Sequence, residues 1–166
     1  MSNVRMAAGG LVLSAAAFVG IISREGYTDN TVIPVKNDVP TIGFGTTTGV
    51  KMGDKTTPVK AAQRALMDAQ KYEGTIKQCV HAPLYQAEYD LWVNLSYNIG
   101  SGAFCSSTIV KRLNAEDYAG ACDAILLYKY QKGYDCSTPG NKRCYGLWID
   151  RKKTHTACVA ALGGGS

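Results

Sequence analysis

REGYTDNTVIPVKNDVPTIGFG, residues 24–45, is the stretch on which the fold turns. It holds little helical periodicity. Thr31-Val32-Ile33-Pro34-Val35 reads as a short strand that Pro34 confines to a sheet edge. Lys36-Asn37-Asp38 reads as a turn, and Pro40-Thr41-Ile42-Gly43-Phe44-Gly45 as a second strand ending in glycines. A small hairpin or sheet is expected here, followed by a loop through Gly53.

Downstream the pattern becomes helical. Thr57-Pro58 pairs an N-cap residue with proline at the first helical position, and Ala61, Ala62, Ala65, Leu66 and Ala69 give the helix an apolar face towards Cys79. Further helices are expected at 86–97, 108–113, 115–128 and 147–162, with a loop at 133–141. The sum is an α+β chain with a small β-hairpin lobe beside a larger helical lobe. Residues 163–166, Gly-Gly-Gly-Ser, read as a flexible linker.

The 166 residues suffice for one compact domain with its own core. A net charge of +5 favours an anionic partner, but the basic residues are scattered and no zinc-finger or RNA-binding signature is present, which argues against nucleic acid. His81 and His155 match no metal spacing, and no cofactor is implied. Cys79, Cys105, Cys122, Cys136, Cys144 and Cys158 are even in number with no CxxC pair, which points to disulfides and an oxidising compartment. Cys136 and Cys144 flank the turn-rich Ser-Thr-Pro-Gly-Asn segment and are expected to close a short loop; buried free thiols are the alternative.

Residues 6–22, MAAGGLVLSAAAFVGII, are uncharged between Arg5 and Arg24. The run falls short of the ~20 residues that span a bilayer comfortably. Its strongly apolar residues are Leu11, Val12, Leu13, Phe18, Val19, Ile21 and Ile22, which favour insertion by about 2 to 4 kcal/mol before the Gly and Ser positions offset part of it. A cleaved signal peptide, a permanent anchor, a buried core helix and an anchor that later leaves the bilayer are all open. The Ala and Gly content suits the last, because such a helix tolerates both solvents. Residues 1–24 are read as this anchor and 25–162 as the functional domain.

Glu25-Gly26-Tyr27 at the end of the first helix, with Thr41-Ile42-Gly43-Phe44-Gly45 beyond it, resembles the signature of the T4-type phage lysozymes. Tyr97-Asn98-Ile99-Gly100 is similar to that family's helix-end motif, and Gly146-Leu147-Trp148-x-x-Arg151 to its C-terminal segment. The weak anchor narrows the likeness to signal-arrest-release endolysins of lambdoid-type phages. The resemblance implies a lysozyme-like fold and a muramidase that hydrolyses the β-1,4 bond between N-acetylmuramic acid and N-acetylglucosamine of peptidoglycan. It also implies a protein held inactive at the host inner membrane, facing the periplasm, and released when the membrane potential collapses. No cysteine lies within residues 6–22, so disulfide exchange from inside that segment is excluded. A monomer is expected.

Cleaving a glycosidic bond needs a proton on the leaving oxygen, and a glutamic acid partly shielded from water keeps one near neutrality. Glu25, beside an apolar helix, fits that role. Inversion, which the resemblance implies, also needs a group that positions water on the opposite sugar face; Thr41 offers a hydroxyl and Asp38 a carboxylate. The family's carboxylate lies six residues before the Thr, which is Val35 here. Asp38 is therefore the first choice, Asp29 the second, and no second carboxylate the third; a plain turn residue is the structural alternative for Asp38. Asn98, Tyr27, Phe44 and Arg151 are candidate substrate contacts; the alternatives are a helix cap for Asn98, core packing for the two rings and a solvated helix charge for Arg151. A lytic transglycosylase and a non-catalytic wall-binding module are the competing functional readings.

Overall fold

The computed structural model describes residues 4–34 and 38–163. In chain order the elements are β1 (Met6–Ala7), a 3-10 turn (Ala8–Gly10), α1 (Ala15–Glu25), β2 (Thr28–Val32), β3 (Thr41–Gly43), α2 (Pro58–Cys79), β4 (Pro83–Leu84), α3 (Gln86–Ile99), α4 (Ser101–Cys105), α5 (Thr108–Asn114), α6 (Tyr118–Ala124), a 3-10 turn (Ile125–Leu127), β5 (Tyr130–Gln131), β6 (Tyr134–Asp135) and α7 (Tyr145–Ala161). They divide into a unit of residues 13–74 and a unit formed by the N-terminal residues through Val12 together with the chain from Thr75 onward.

In the unit of residues 13–74, α1 starts where Ser14 caps it, its Oγ accepting from Ala17 N at 3.1 Å. Gly26, at φ +69°, ends the helix and turns the chain into β2. Strand β2 pairs antiparallel with β3, Thr28 opposite Gly43 and Val32 opposite Thr41, with an irregularity between. Ile21, Ile42, Val50, Ala61, Ala65 and Ala69 are buried in this unit. Strand β2 begins three residues earlier than the sequence suggests, because pairing with Thr41–Gly43 fixes its limits rather than local β propensity. The Lys36-Asn37 part of the expected turn lies outside the described residues, as do residues 164–166 of the expected linker.

The other unit is helical. Trp92 and Phe104 pack with ring centroids 6.3 Å apart, among buried Leu84, Tyr89, Val93, Ile109, Leu113 and Ile125. Asp117 is not inside a helix as expected but caps α6, accepting from Gly120 N at 2.9 Å. The segment expected as a loop at 133–141 begins with β6, paired to β5. All six cysteines are bridged: Cys79–Cys105, Cys122–Cys158 and the expected Cys136–Cys144.

Residues 6–22 do not form one helix. Strand β1 pairs with β4, Met6 opposite Leu84 and Ala7 opposite Pro83, and α1 begins only at Ala15. Among the described residues no helix is long and apolar enough to cross a membrane.

The Cys122–Cys158 bridge closes 36 residues of chain and Cys136–Cys144 only 8. Loop-closure entropy then predicts a loss of about 4 kcal/mol for the paired Cys122→Ala and Cys158→Ala substitutions and about 2.5 for Cys136→Ala with Cys144→Ala. Urea unfolding measures both, and the order of the two losses is the expected outcome.

Candidate active site

The site grows from the last residue of α1. Glu25 is carried on the helix end, and Gly26 then redirects the chain so that Tyr27 packs on Phe44, ring centroids 5.3 Å apart and tilted by 49°. This ring pair and the β2–β3 ladder hold the Gly43-Phe44-Gly45 turn in place.

Both glycines of the turn are required. At Gly43, φ +65°, an added Cβ would stand 2.7 Å from the Ala61 Cβ, so β3 lies against α2 with no room for a side chain. At Gly45, φ +82°, an added Cβ would stand 2.9 Å from Glu25 Oε2. The Glu25 carboxyl therefore rests directly on the Gly45 backbone. Its side chain keeps access to solvent, yet the surrounding protein withdraws enough water to raise its pKa; the Arg24 charge opposes this more weakly.

Thr41 is half-buried and donates from Oγ1 to Val39 O at 3.1 Å. Asp38 is exposed and accepts from Val39 N through Oδ1 at 2.9 Å. The two residues thus grip the same peptide neighbour from either side. Thr41 uses its one hydroxyl hydrogen there, which leaves its oxygen as an acceptor. Asp29 is also exposed, and its Oδ1 accepts from Asn30 Nδ2 at 2.8 Å. Tyr27 is 39% exposed and Phe44 half-buried, so neither ring is core.

Asn98 and Arg151 belong to the helical unit and meet there. Arg151 is 3% exposed, which rules out the solvated helix charge that the sequence allowed. Its Nη2 donates to Asn98 Oδ1 at 2.6 Å, its Nη1 to Asp150 Oδ2 at 2.9 Å and its Nε to Tyr128 O at 3.2 Å. A guanidinium has only donors, so the Asn98 atom facing it must be the oxygen. The Asn98 Nδ2 hydrogens, at an exposed position, are left for another partner. Asn98 lies within α3 and Gly100 caps it, so Asn98 is not the cap. His155 is half-buried, its Nε2 3.0 Å from Asp123 Oδ1, and His81 is exposed.

Sequence reasoning missed Thr46, which is buried and donates to Asp68 Oδ2 at 3.2 Å behind the turn. It also missed the pairing of Arg5 with Glu88. Nothing local marks either pair, since their partners lie 22 and 83 residues apart.

On an α+β scaffold, a carboxyl of raised pKa thus sits at a helix end, set against a glycine turn. The phage lysozyme family profile matches residues 22–154, so the chain belongs to the phage lysozyme family. It is 36% identical over 117 residues to the endolysin of Salmonella phage P22, covering 67% of this chain and 80% of that protein. It is 35% identical to the SAR-endolysin of Pseudomonas phage phiKMV, over 69% of this chain and 70% of that one. Among solved structures, the endolysin from Escherichia coli O157:H7 phage FAHEc1 superposes with a TM-score of 0.77 at 29% identity, over 92% of this chain and 96% of the other. The fold is lysozyme-like and the chain is a glycoside hydrolase, a muramidase endolysin whose substrate is peptidoglycan.

Gly45→Ala and Gly49→Ala separate backbone strain from the carboxyl contact. Both positions have positive φ, +82° and +71°, but an added Cβ at Gly49 meets nothing within 4 Å. Each variant is predicted to lose about 1–2 kcal/mol of stability. Only Gly45→Ala should also lose wall-clearing activity, by about 10- to 100-fold. A second outcome follows from the raised pKa of Glu25. The folded state holds this proton more tightly than the unfolded chain, so stability falls as pH rises from the ordinary glutamate range through the raised pKa. Glu25→Gln should therefore melt higher than the parent at pH 7, and the gain should vanish in acid below the ordinary glutamate range.

Proposed function

We propose that Glu25 is the general acid of this muramidase and that Asp38 and Thr41 hold the attacking water. Glu25 gives its proton to the oxygen joining N-acetylmuramic acid to N-acetylglucosamine. As the bond from that oxygen to the anomeric carbon of N-acetylmuramic acid breaks, water bound to the Thr41 oxygen and the Asp38 carboxylate attacks that carbon from the opposite face and gives a proton to Asp38, and the product carries inverted configuration. The observation carrying this reading is the Glu25 carboxyl, its pKa raised by desolvation, seated against Gly45. Asp38 is preferred to Asp29 because it and Thr41 bond the same residue, Val39.

In the same reading, Asn98 offers its amide hydrogens to an acceptor oxygen on the glycan, such as an acetamido carbonyl. Arg151 positions Asn98 rather than touching substrate, and Tyr27 and Phe44 present ring surface to a sugar face. Before lysis, residues 6–22 hold the chain in the host inner membrane, with the catalytic domain facing the periplasm. Collapse of the membrane potential frees the segment, and the protein then acts in the periplasm as a monomer. The SAR-endolysin relatives and the marginal apolarity of residues 6–22 support this sequence of events.

Turbidity of chloroform-treated Gram-negative cells tests the catalytic assignments. Glu25→Gln should abolish clearing, Asp38→Asn and Thr41→Ala should reduce it by about 100-fold or more, and Asp29→Asn should leave it near the parent. Mass spectrometry of the products should show reducing ends that have gained water; anhydro ends would instead indicate a transglycosylase. Asn98→Asp tests the binding role, because it keeps a partner for Arg151 but removes the outward donor. On soluble glycan chains KM should rise about tenfold, with kcat and melting temperature near those of the parent.

A further inference from the structure

Arg5 is the charged residue that precedes the uncharged run 6–22. Its guanidinium forks onto Glu88, with Nε donating to Oε2 at 3.0 Å and Nη2 to Oε1 at 2.8 Å. The Tyr118 ring lies 3.7 Å from its Cζ and the Tyr85 ring 4.4 Å. Glu88 is 2% exposed, sits in the first turn of α3 and also accepts from Tyr85 N at 2.8 Å. Tyr118 is held by its hydroxyl, which donates to Pro83 O at 2.9 Å. The chain after Arg5 continues along the same receptor: Met6 and Ala7 pair with Leu84 and Pro83, Ala8 and Leu11 are buried, and Gln86 Nε2 donates to Val12 O at 2.8 Å.

We infer that β4, the first turn of α3 and Tyr118 form a docking site whose occupant is residues 5–12 of this same chain, filled only once residues 6–22 are out of the bilayer. The inference rests on the membrane-anchor reading given above. Two physical facts make insertion and docking exclusive. A segment crossing lipid must satisfy its amides within its own helix, so Met6 and Ala7 cannot then pair with β4. Spanning also puts Arg5 and Arg24 at opposite faces of the membrane, which separates Arg5 from Glu88. A buried carboxylate left without its cation is strongly unfavourable. The anchored chain therefore holds an unfilled site for its own N-terminus. Docking supplies free energy that offsets the apolar burial lost on leaving lipid, and it makes the exit one-way. Arg at position 5 is thus a latch as well as an end charge of the anchor.

Hydrogen exchange on the purified full chain tests the site itself, with Arg5→Met, Glu88→Gln and the double variant compared with the parent. Each single variant should speed exchange of the amides at residues 6–12 by about tenfold or more, while α7 amides keep their protection. The double variant should be no faster than the faster single one. Unchanged exchange at 6–12, or an equal rise in α7, overturns the docking site; the latter outcome makes the pair a general brace of the fold. Cell fractionation after an uncoupler tests the link to release: both single variants should leave a larger share of protein in the membrane fraction than the parent does. Equal shares overturn the latch. A parent chain that never sediments with membranes, even before the uncoupler, contradicts the anchor reading instead, and the exchange result distinguishes the two failures.

Discussion

The Glu25 carboxyl rests on a stretch of backbone that has no side chain. An atom at the Gly45 Cβ position would stand 2.9 Å from Glu25 Oε2 and displace the carboxyl, and the φ of +82° strains any other residue there. The rest of the small unit serves that contact. Helix α1 carries the acid at its end, Gly26 turns the chain, and the Tyr27–Phe44 ring pair ties the return strand to the helix exit. Gly43 lets β3 lie against Ala61 of α2, so the turn is backed by a helix. Burial against packed protein raises the pKa of the Glu25 carboxyl, and the Arg24 charge opposes that shift more weakly.

The same economy runs through the helical unit. Arg151 is buried and spends its donors on Asn98, Asp150 and Tyr128. Its charge fixes which end of the Asn98 amide faces outward, a choice that an amide alone makes poorly. Glu88 is buried and spends its acceptors on Arg5 and Tyr85. Each buried charge is tied to a group distant in sequence: Asn98 of α3 in one case, Arg5 of the N-terminal segment in the other. Three disulfides, with partners 8 to 36 residues apart in sequence, stabilise the unit that carries these pairs.

Much of this was legible in the sequence. Thr57-Pro58 marked the start of α2 to the residue, because an N-cap followed by proline is a local signal. Helix α3 and the hairpin glycines were legible for the same reason, and the Glu-Gly and Thr-Ile-Gly-x-Gly motifs marked Glu25 and the glycine turn it rests on. Elements set by distant partners were not. Residues 6–7 became a strand because Pro83-Leu84 offers an edge, and apolar run length carries no trace of that. Arg151 read as a substrate contact or a solvated charge, because acceptors from α3, from α7 itself and from the turn at Tyr128 are gathered around it only in the folded chain. The limits of β2 were set by its register with β3, not by its own residues.

The central claim is that folding keeps Glu25 protonated so that it can serve as the acid. Carbon-13 NMR titration of the Glu25 carboxyl, assigned by loss of its signal in Glu25→Gln, tests this without passing through an assay of lysis. The account predicts a midpoint above the ordinary glutamate range that coincides with the alkaline fall in activity. A midpoint at or below that range would contradict it.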